Sequence, residues 1–266
     1  MSTLTNPRSD RVKAVRALSR RSARERAGRF LAEGPQAVRE AVRWAPGQVV
    51  DLYATTDATE RHMEILAAAR RAGIAAQEVT DDVLAAMCDT QTPQGLAAVC
   101  RMVQPALESV LSARPRLLVV LTQVRDPGNA GTVIRGADAA GADAVLVSTS
   151  SVDVHSPKVV RSTAGSLFHL PVVTGLDLGV LIPALRSAGI RLLAADGSGG
   201  RVLGDVDLSG PHAWVMGNEA WGLPQDLRDQ CDEVVRVPIY GRAESLNLAM
   251  AATVCVYASA MAQRSG

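Results

Sequence analysis

"LLVVLTQVRDPGNAGTVIRGADAAGADAVLVS", residues 117 to 148, joins two apolar runs through a glycine-rich turn and a helical stretch. Residues 117–122 and 144–148 carry Val, Leu and Ala with almost no polar alternation, the pattern of strands covered on both faces of a parallel sheet. Gly128 and Gly131 let the chain turn sharply after the first strand, and Asn129 can satisfy exposed backbone groups where the helix begins. The helix is expected to run to Gly141. A strand, a crossover helix and a second strand of this kind make an α/β fold.

The alternation continues in both directions. Downstream, strands are expected at 170–173, 190–196, 212–217 and 233–238, with a helix near 178–188 and a final helix after "YGRAESLN". Upstream, a basic helix precedes "FLAEG" (30–34), a helix through Val42, a strand at 49–55, a helix at 58–72, a strand at 74–79, a helix to Met87 and a strand at 95–102. Pro105 and Pro115 interrupt the series. The expected division is a smaller N-terminal α/β domain over 1–104, a linker over 105–116 and a C-terminal domain over 117–266.

Of 266 residues 47% are apolar, ample for a real core. No apolar run reaches the roughly 18 residues of a membrane span, and the Arg-rich N-terminus has no apolar signal segment behind it. The expectation is a cytoplasmic protein with no membrane contact. Cys88, Cys100, Cys231 and Cys255 lie far apart, without the spacing of a zinc site or a disulfide framework, so reduced thiols and no metal are expected.

Net charge is only +1, yet nine Lys or Arg stand between Arg8 and Arg29 against Asp10 and Glu25. Arg16, Arg20 and Arg24 recur every fourth residue. One helical face would then stack three guanidinium groups, a footprint for the phosphate backbone of a nucleic acid, although a solvated helix face has the same pattern.

Ligands of parallel sheets bind in the loops at the carboxyl ends of strands, and four such loops hold unusual residues. The loop at 124–143 carries Asn129 and, about two helical turns on, Arg135, which on spacing alone could simply face solvent. Its "DPGNAG" invites comparison with a dinucleotide-binding turn, but the second close-approach glycine of G-x-G-x-x-G is missing. Asp153 stands where a ribose-binding acid could sit, which keeps a Rossmann-type nucleotide-dependent enzyme as an alternative. The loop at 153–173 brings Lys158 and Arg161 together with Ser156, Ser162 and Thr163, donors for phosphate and sugar; His155 and His169 have no partners at ligand spacing. "VMGNEAWGLP" (215–224) places Gly217 at a strand end, where a flat ligand could approach, and Glu219 just beyond, expected to be poorly solvated. "YGRAESLN" (240–247) sets Arg242, Glu244, Ser245 and Asn247 before an apolar helix that Ser245 could cap.

Together, "NAGTVIR", "DVHSPKVVRSTAGSLFHLPV", "VMGNEAWGLP" and "VPIYGRAESLNLAMAA" resemble, in order, the motifs of the SpoU, or TrmH-like, RNA ribose 2′-O-methyltransferases of the SPOUT superfamily. The resemblance spans 117 to about 262. The N-terminal part resembles the L30e-like substrate-binding domain of the ribosomal-RNA members. The resemblance implies a parallel sheet with a deep trefoil knot, a homodimer, S-adenosylmethionine as cofactor and RNA as substrate, expected to be 23S rRNA. Carried over by motif, Leu193, Ala195, Gly217, Val237 and Leu246 surround the cofactor, and Arg135, Asn129, Glu219, Ser245 and Asn247 form the catalytic set. Arg135 is the family's candidate for the proton of the ribose hydroxyl, an awkward role for a guanidinium, which is almost always protonated. Arg16, Arg20, Arg24, Lys158 and Arg161 are the expected RNA contacts. Two departures stand out: Leu248 and Ala249 replace a small apolar residue and a second Ser, and no basic C-terminal helix of the tRNA-modifying members follows. The second departure weakens tRNA as the substrate, and the N-terminal domain favours rRNA. A non-catalytic RNA-binding protein of the same fold is the remaining alternative.

Overall fold

The computed structural model describes residues 3–264, which separate into two compact units. One takes in the chain up to Val103 together with Asp153–His169, and the other comprises Gln104–Val152 and the chain from Leu170 onward.

The first unit runs α1 (Asp10–Ala17), α2 (Arg21–Ala27), β1 (Arg29–Glu33), α3 (Pro35–Trp44), β2 (Val49–Thr55), α4 (Thr56–Arg61), α5 (Met63–Arg71), β3 (Ala76–Val79), α6 (Asp81–Met87) and β4 (Leu96–Arg101). Its sheet has the order β1, β4, β2, β3, with only β2 and β3 parallel. Phe30, Val38, Leu52, Ile65 and Leu96 pack on one face, and Val12, Val15, Tyr53, Leu84 and Met87 on the other.

In the second unit α7 (Leu107–Ser112) leads into β5 (Leu117–Leu121), α8 (Pro127–Ala140) and β6 (Ala144–Ser148). After the segment that carries α9 (Pro157–Ser162) come β7 (Val172–Leu176), α10 (Leu178–Ser187), β8 (Arg191–Ala195), β9 (Arg201–Val202), β10 (His212–Met216), α11 (Gln225–Arg228), β11 (Glu233–Arg236) and α12 (Leu248–Arg264). The sheet order is β7, β6, β5, β10, β8, β11, β9, and every pair is parallel. The apolar runs therefore lie where continuous apolarity demands, in strands such as β5 and β10 whose residues are all buried.

α12 is fixed to the sheet by polar contacts that its sequence hides. Ser259 Oγ lies 2.7 Å from His212 Nε2 and accepts from Trp214 Nε1 at 2.8 Å, while Gln263 Nε2 donates to the Arg116 and Gly210 carbonyls. α12 also packs closely on α8. A Cβ at Gly136 would stand 2.8 Å from Thr253 Oγ1, so the glycine permits the approach.

Three local expectations change. The basic stretch is two helices, because Arg20 is extended (φ −95°, ψ 135°) and starts α2 anew, so Arg16, Arg20 and Arg24 do not share one face. Arg24 is 2% exposed: its guanidinium donates to the Leu18 and Ser19 carbonyls left open at the end of α1 and pairs with Asp153 at 2.6 Å. The stretch expected as linker contains α7, whose Leu107 and Val110 join the second unit's core. Residues 153–169 pack in the first unit, where Val160 and Phe168 enter the core and Phe168 stacks on Phe30 at 6.0 Å.

Candidate active site

Adjacent parallel strands β8, β10 and β11 end at one edge of the second unit, and beyond their carboxyl ends lies a cleft of ≈ 660 Å³. Ala195, Gly217, Val237, Ser245 and Leu246 line it. Leu193 does not: it sits two residues inside β8, wholly buried, and is a core residue.

The hairpin after β10 shapes the cleft. Asn218 and Gly222 exchange backbone hydrogen bonds of 2.9 and 3.0 Å, and a Cβ on Gly217 would come 2.5 Å from the Gly222 carbonyl. Gly217 is thus required by the chain's own backbone, not only by the space of a ligand. Gly222 adopts φ +67°, and a Cβ there would stand 2.8 Å from Asp196 Oδ2. That carboxylate accepts from Ser198 and the Leu223 amide and meets Arg228 at 3.4 Å. Burial opposes its ionisation, but these donors outweigh burial and hold it below the usual carboxylate range. In the sequence nothing marks Asp196 beyond its place directly after a strand.

Three distant motifs meet beside the cleft. Glu219 accepts from the Arg125 and Asp126 amides at 3.3 and 3.1 Å and from Asn129 Nδ2 at 3.3 Å. Asn129 Oδ1 in turn accepts from Asn247 Nδ2 at 3.0 Å. Asn129 is free to do this because Asp126, not Asn129, caps α8, accepting from the Asn129 amide at 2.7 Å. Likewise Asn247, not Ser245, caps α12, through Oδ1 and the Ala249 and Met250 amides. Glu219 is exposed rather than poorly solvated; hydrogen bonds fix it, not desolvation. Ser245 lines the cleft without a hydrogen bond among the described residues.

Arg135 projects from α8 into solvent, and its guanidinium makes no hydrogen bond or ion pair among the described residues, so Asn129 and Glu219 do not hold it. Lys158 is exposed on α9 in the first unit. Arg161, also there, is engaged by Glu33 at 3.3 Å and Asp89 at 3.1 Å. Arg16 and Arg20 are exposed. The Rossmann alternative loses its acid, since Asp153 is paired with Arg24 in the first unit. Among the described residues no group of three or more His, Cys, Asp or Glu is arranged for a metal, and no helix is long and apolar enough to cross a membrane.

The SpoU rRNA methylase family model matches residues 116–257, and an MRM3-like substrate-binding domain model matches 9–98. The chain belongs to the SpoU rRNA methylase family. This family member is 34% identical to the 23S rRNA (guanosine(2553)-2′-O)-methyltransferase RlmP of Bacillus subtilis, over 97% of this chain and 98% of that protein. It is also 34% identical to a 23S rRNA (uridine(2479)-2′-O)-methyltransferase of Streptomyces viridochromogenes, over 94% and 88% of the two chains. The crystal structure of the SpoU methyltransferase AviRb from that organism, in complex with AdoMet, superposes with a TM-score of 0.84 at 33% identity, covering 97% of this chain and all of that one.

The cleft of this SpoU protein fits such a cofactor. Its volume is that of a small-molecule site. Ala195, Met216, Val237 and Leu246 offer apolar surface for a flat ring, while Asp196, Glu244 and open strand-end backbone offer partners for polar groups.

Proposed function

We propose that this chain is an S-adenosylmethionine-dependent RNA ribose 2′-O-methyltransferase acting on 23S rRNA in the cytoplasm. The observation that carries the reading is the Glu219, Asn129, Asn247 chain of hydrogen bonds, which ties three separate motifs of the family together at the edge of the cleft. Bound S-adenosylmethionine supplies a methyl group on a sulfonium sulfur. Ala195, Gly217, Val237 and Leu246 would hold it. Glu219 fixes the start of α8, and Asn247 fixes the chain leading into α12, so the groups facing a ribose are preorganised before RNA arrives.

Arg135 stands apart from this network, and its role needs another placement. It precedes Gly136, which rests against Thr253 of α12, and α12 carries exposed Met250, Val254, Tyr257 and Met261. This apolar stripe supports a homodimer formed through α12, in which Arg135 serves the partner protomer's cleft by contacting an RNA phosphate and stabilising the forming alkoxide while a phosphate or water carries the hydroxyl proton away. The trefoil knot of the family belongs to the same proposal, with "RAES" (242–245) as its ligand-facing loop. The first unit is the RNA-binding domain, with Arg16, Arg20 and Lys158 among its exposed cations.

The test is methyl transfer from labelled S-adenosylmethionine to a 23S rRNA transcript, followed by mapping of ribose methylation. The two relatives are named for a guanosine and a uridine, so mapping must decide the target base. Transfer to RNA separates an enzyme from a binding protein; no transfer to any rRNA overturns the reading. Arg135→Ala is expected to lose at least about a hundredfold in turnover while binding cofactor normally, and Arg135→Lys not to restore it, because an ammonium lacks the planar fork.

A further inference from the structure

One large side chain at the cleft plays no part in the network around Glu219. Trp221 lines the cleft, yet it is 58% exposed at the tip of the Asn218–Gly222 hairpin. Its indole is tethered by one edge: Nε1 donates to Gln123 Oε1 at 3.3 Å, and the Arg125 guanidinium lies 5.9 Å from the ring centroid. Both partners belong to the loop between β5 and α8, the loop whose amides bind Glu219. Asn218 Nδ2 donates to the Gln123 carbonyl at 2.8 Å and locks hairpin and loop together. Gln123 adopts φ +54°, a left-handed conformation that side-chain-bearing residues avoid and that persists where surrounding contacts impose it. The tether is therefore built, and it keeps an indole face in solvent.

An aromatic face beside a guanidinium is the surface on which proteins stack unpaired bases, because every base presents a π-face and Arg adds a cation. We propose that Trp221, with Arg125 alongside, is the stacking platform for an unpaired base of the RNA substrate, and so a residue that positions the ribose to be methylated. The proposal rests on the methyl-transfer reading above. The occupant is an RNA base rather than the adenine of the cofactor, because the tether comes from the loop that leads to Asn129. Among the described residues, the segments holding Ala195 and Val237 give the indole no hydrogen bond and no ring contact.

The experiment uses the full chain carrying Trp44→Phe. The chain has three tryptophans, and Trp214 is wholly buried, so the remaining exposed indole is Trp221. A 23S rRNA transcript is expected to quench its emission, and S-adenosylmethionine alone to leave it unchanged. Trp221→Leu should raise the KM for the transcript about tenfold or more, with a far smaller fall in turnover at saturating RNA and unaltered cofactor affinity by calorimetry. Trp221→Phe should recover most of the KM, which a merely space-filling role would not require. A KM within about twofold of the parent in Trp221→Leu overturns the proposal; so does quenching by S-adenosylmethionine alone, or lost cofactor affinity in the variant. If the parent transfers no methyl group, the activity reading fails by itself. Quenching by the transcript then still supports the platform, and its absence overturns it.

Discussion

Glu219 is held by three N–H donors, so its value to the site lies in being an acceptor on both oxygens. Glu219→Gln places an amide NH₂ where a donor already points. A hydrogen bond to a charged group contributes about 1.5–3 kcal/mol, so single-turnover methylation should slow about ten- to a hundredfold while calorimetry finds the cofactor bound as before. A rate equal to the parent's would mean that the network is scaffolding only. Gly217 is governed by a different effect. A Cβ there would lie 2.5 Å from the Gly222 carbonyl, closer than real contacts allow. Gly217→Ala should therefore lower the melting temperature and cofactor affinity together. Were it to melt with the parent and lose only binding, ligand space would be the whole reason for the glycine.

At the scale of elements, α2 and the segment before α9 are joined through Arg24, Asp153 and His155. Arg24→Leu leaves Asp153 without its cation, and breaking such a pair costs about 3–5 kcal/mol, so denaturant unfolding should detect a large loss. Arg16→Ala and Arg20→Ala should leave stability unchanged and reduce the salt dependence of RNA binding by up to about 0.7 to 0.9 in log–log slope per contact. Burial pushes the His155 imidazole, packed 4.9 Å from Phe30, down to about 4 from an ordinary 6.5. Its folded value lies below its unfolded one, so the unfolded chain takes up the proton first. The associated stability is whole above about pH 6.5 and declines as pH falls to about 4. Asp153 responds at lower pH: burial opposes its charge, but the Arg24 hydrogen bond and the His155 amide outweigh burial and depress it below 3.8. Urea titrations of His155→Gln should show a flatter profile between pH 6.5 and 4 than the parent, and an unchanged slope would exclude His155 as its source. The strands were legible because a strand's apolar run is a local signal, as residues 117–121 show. The break between α1 and α2 was not, since it is sealed by an arginine whose partner lies 129 positions away. The site divides in the same way: Asn129, Glu219 and Asn247 could be named from their motifs, whereas their mutual bonds span 90 and 118 positions and exist only in the fold.

For the whole molecule the decisive surface is α12. Its Ala249, Ala252, Cys255, Val256 and Ser259 are buried, while Met250, Val254, Tyr257 and Met261, spaced by four, three and four residues, are 65%, 42%, 38% and 65% exposed. A contiguous stripe of large apolar side chains on one helix is the mark of an association surface, and a two-fold pair would bury it against its own copy. Val254→Glu with Tyr257→Glu should then yield a monomer by light scattering that still binds S-adenosylmethionine, because the cleft's lining residues all lie outside the stripe. Its methyl transfer should be lost if Arg135 acts across the interface. Mixing two slowed variants distinguishes the placements. In a heterodimer of Arg135→Ala with Glu219→Gln, an Arg135 that reaches across meets an intact Glu219 in one of the two clefts; an Arg135 that serves its own cleft meets none. Subunit exchange at equal amounts makes half of the dimers mixed, so the shared arrangement predicts recovery to about a quarter of the parental rate. Verified exchange without recovery would return Arg135 to its own protomer.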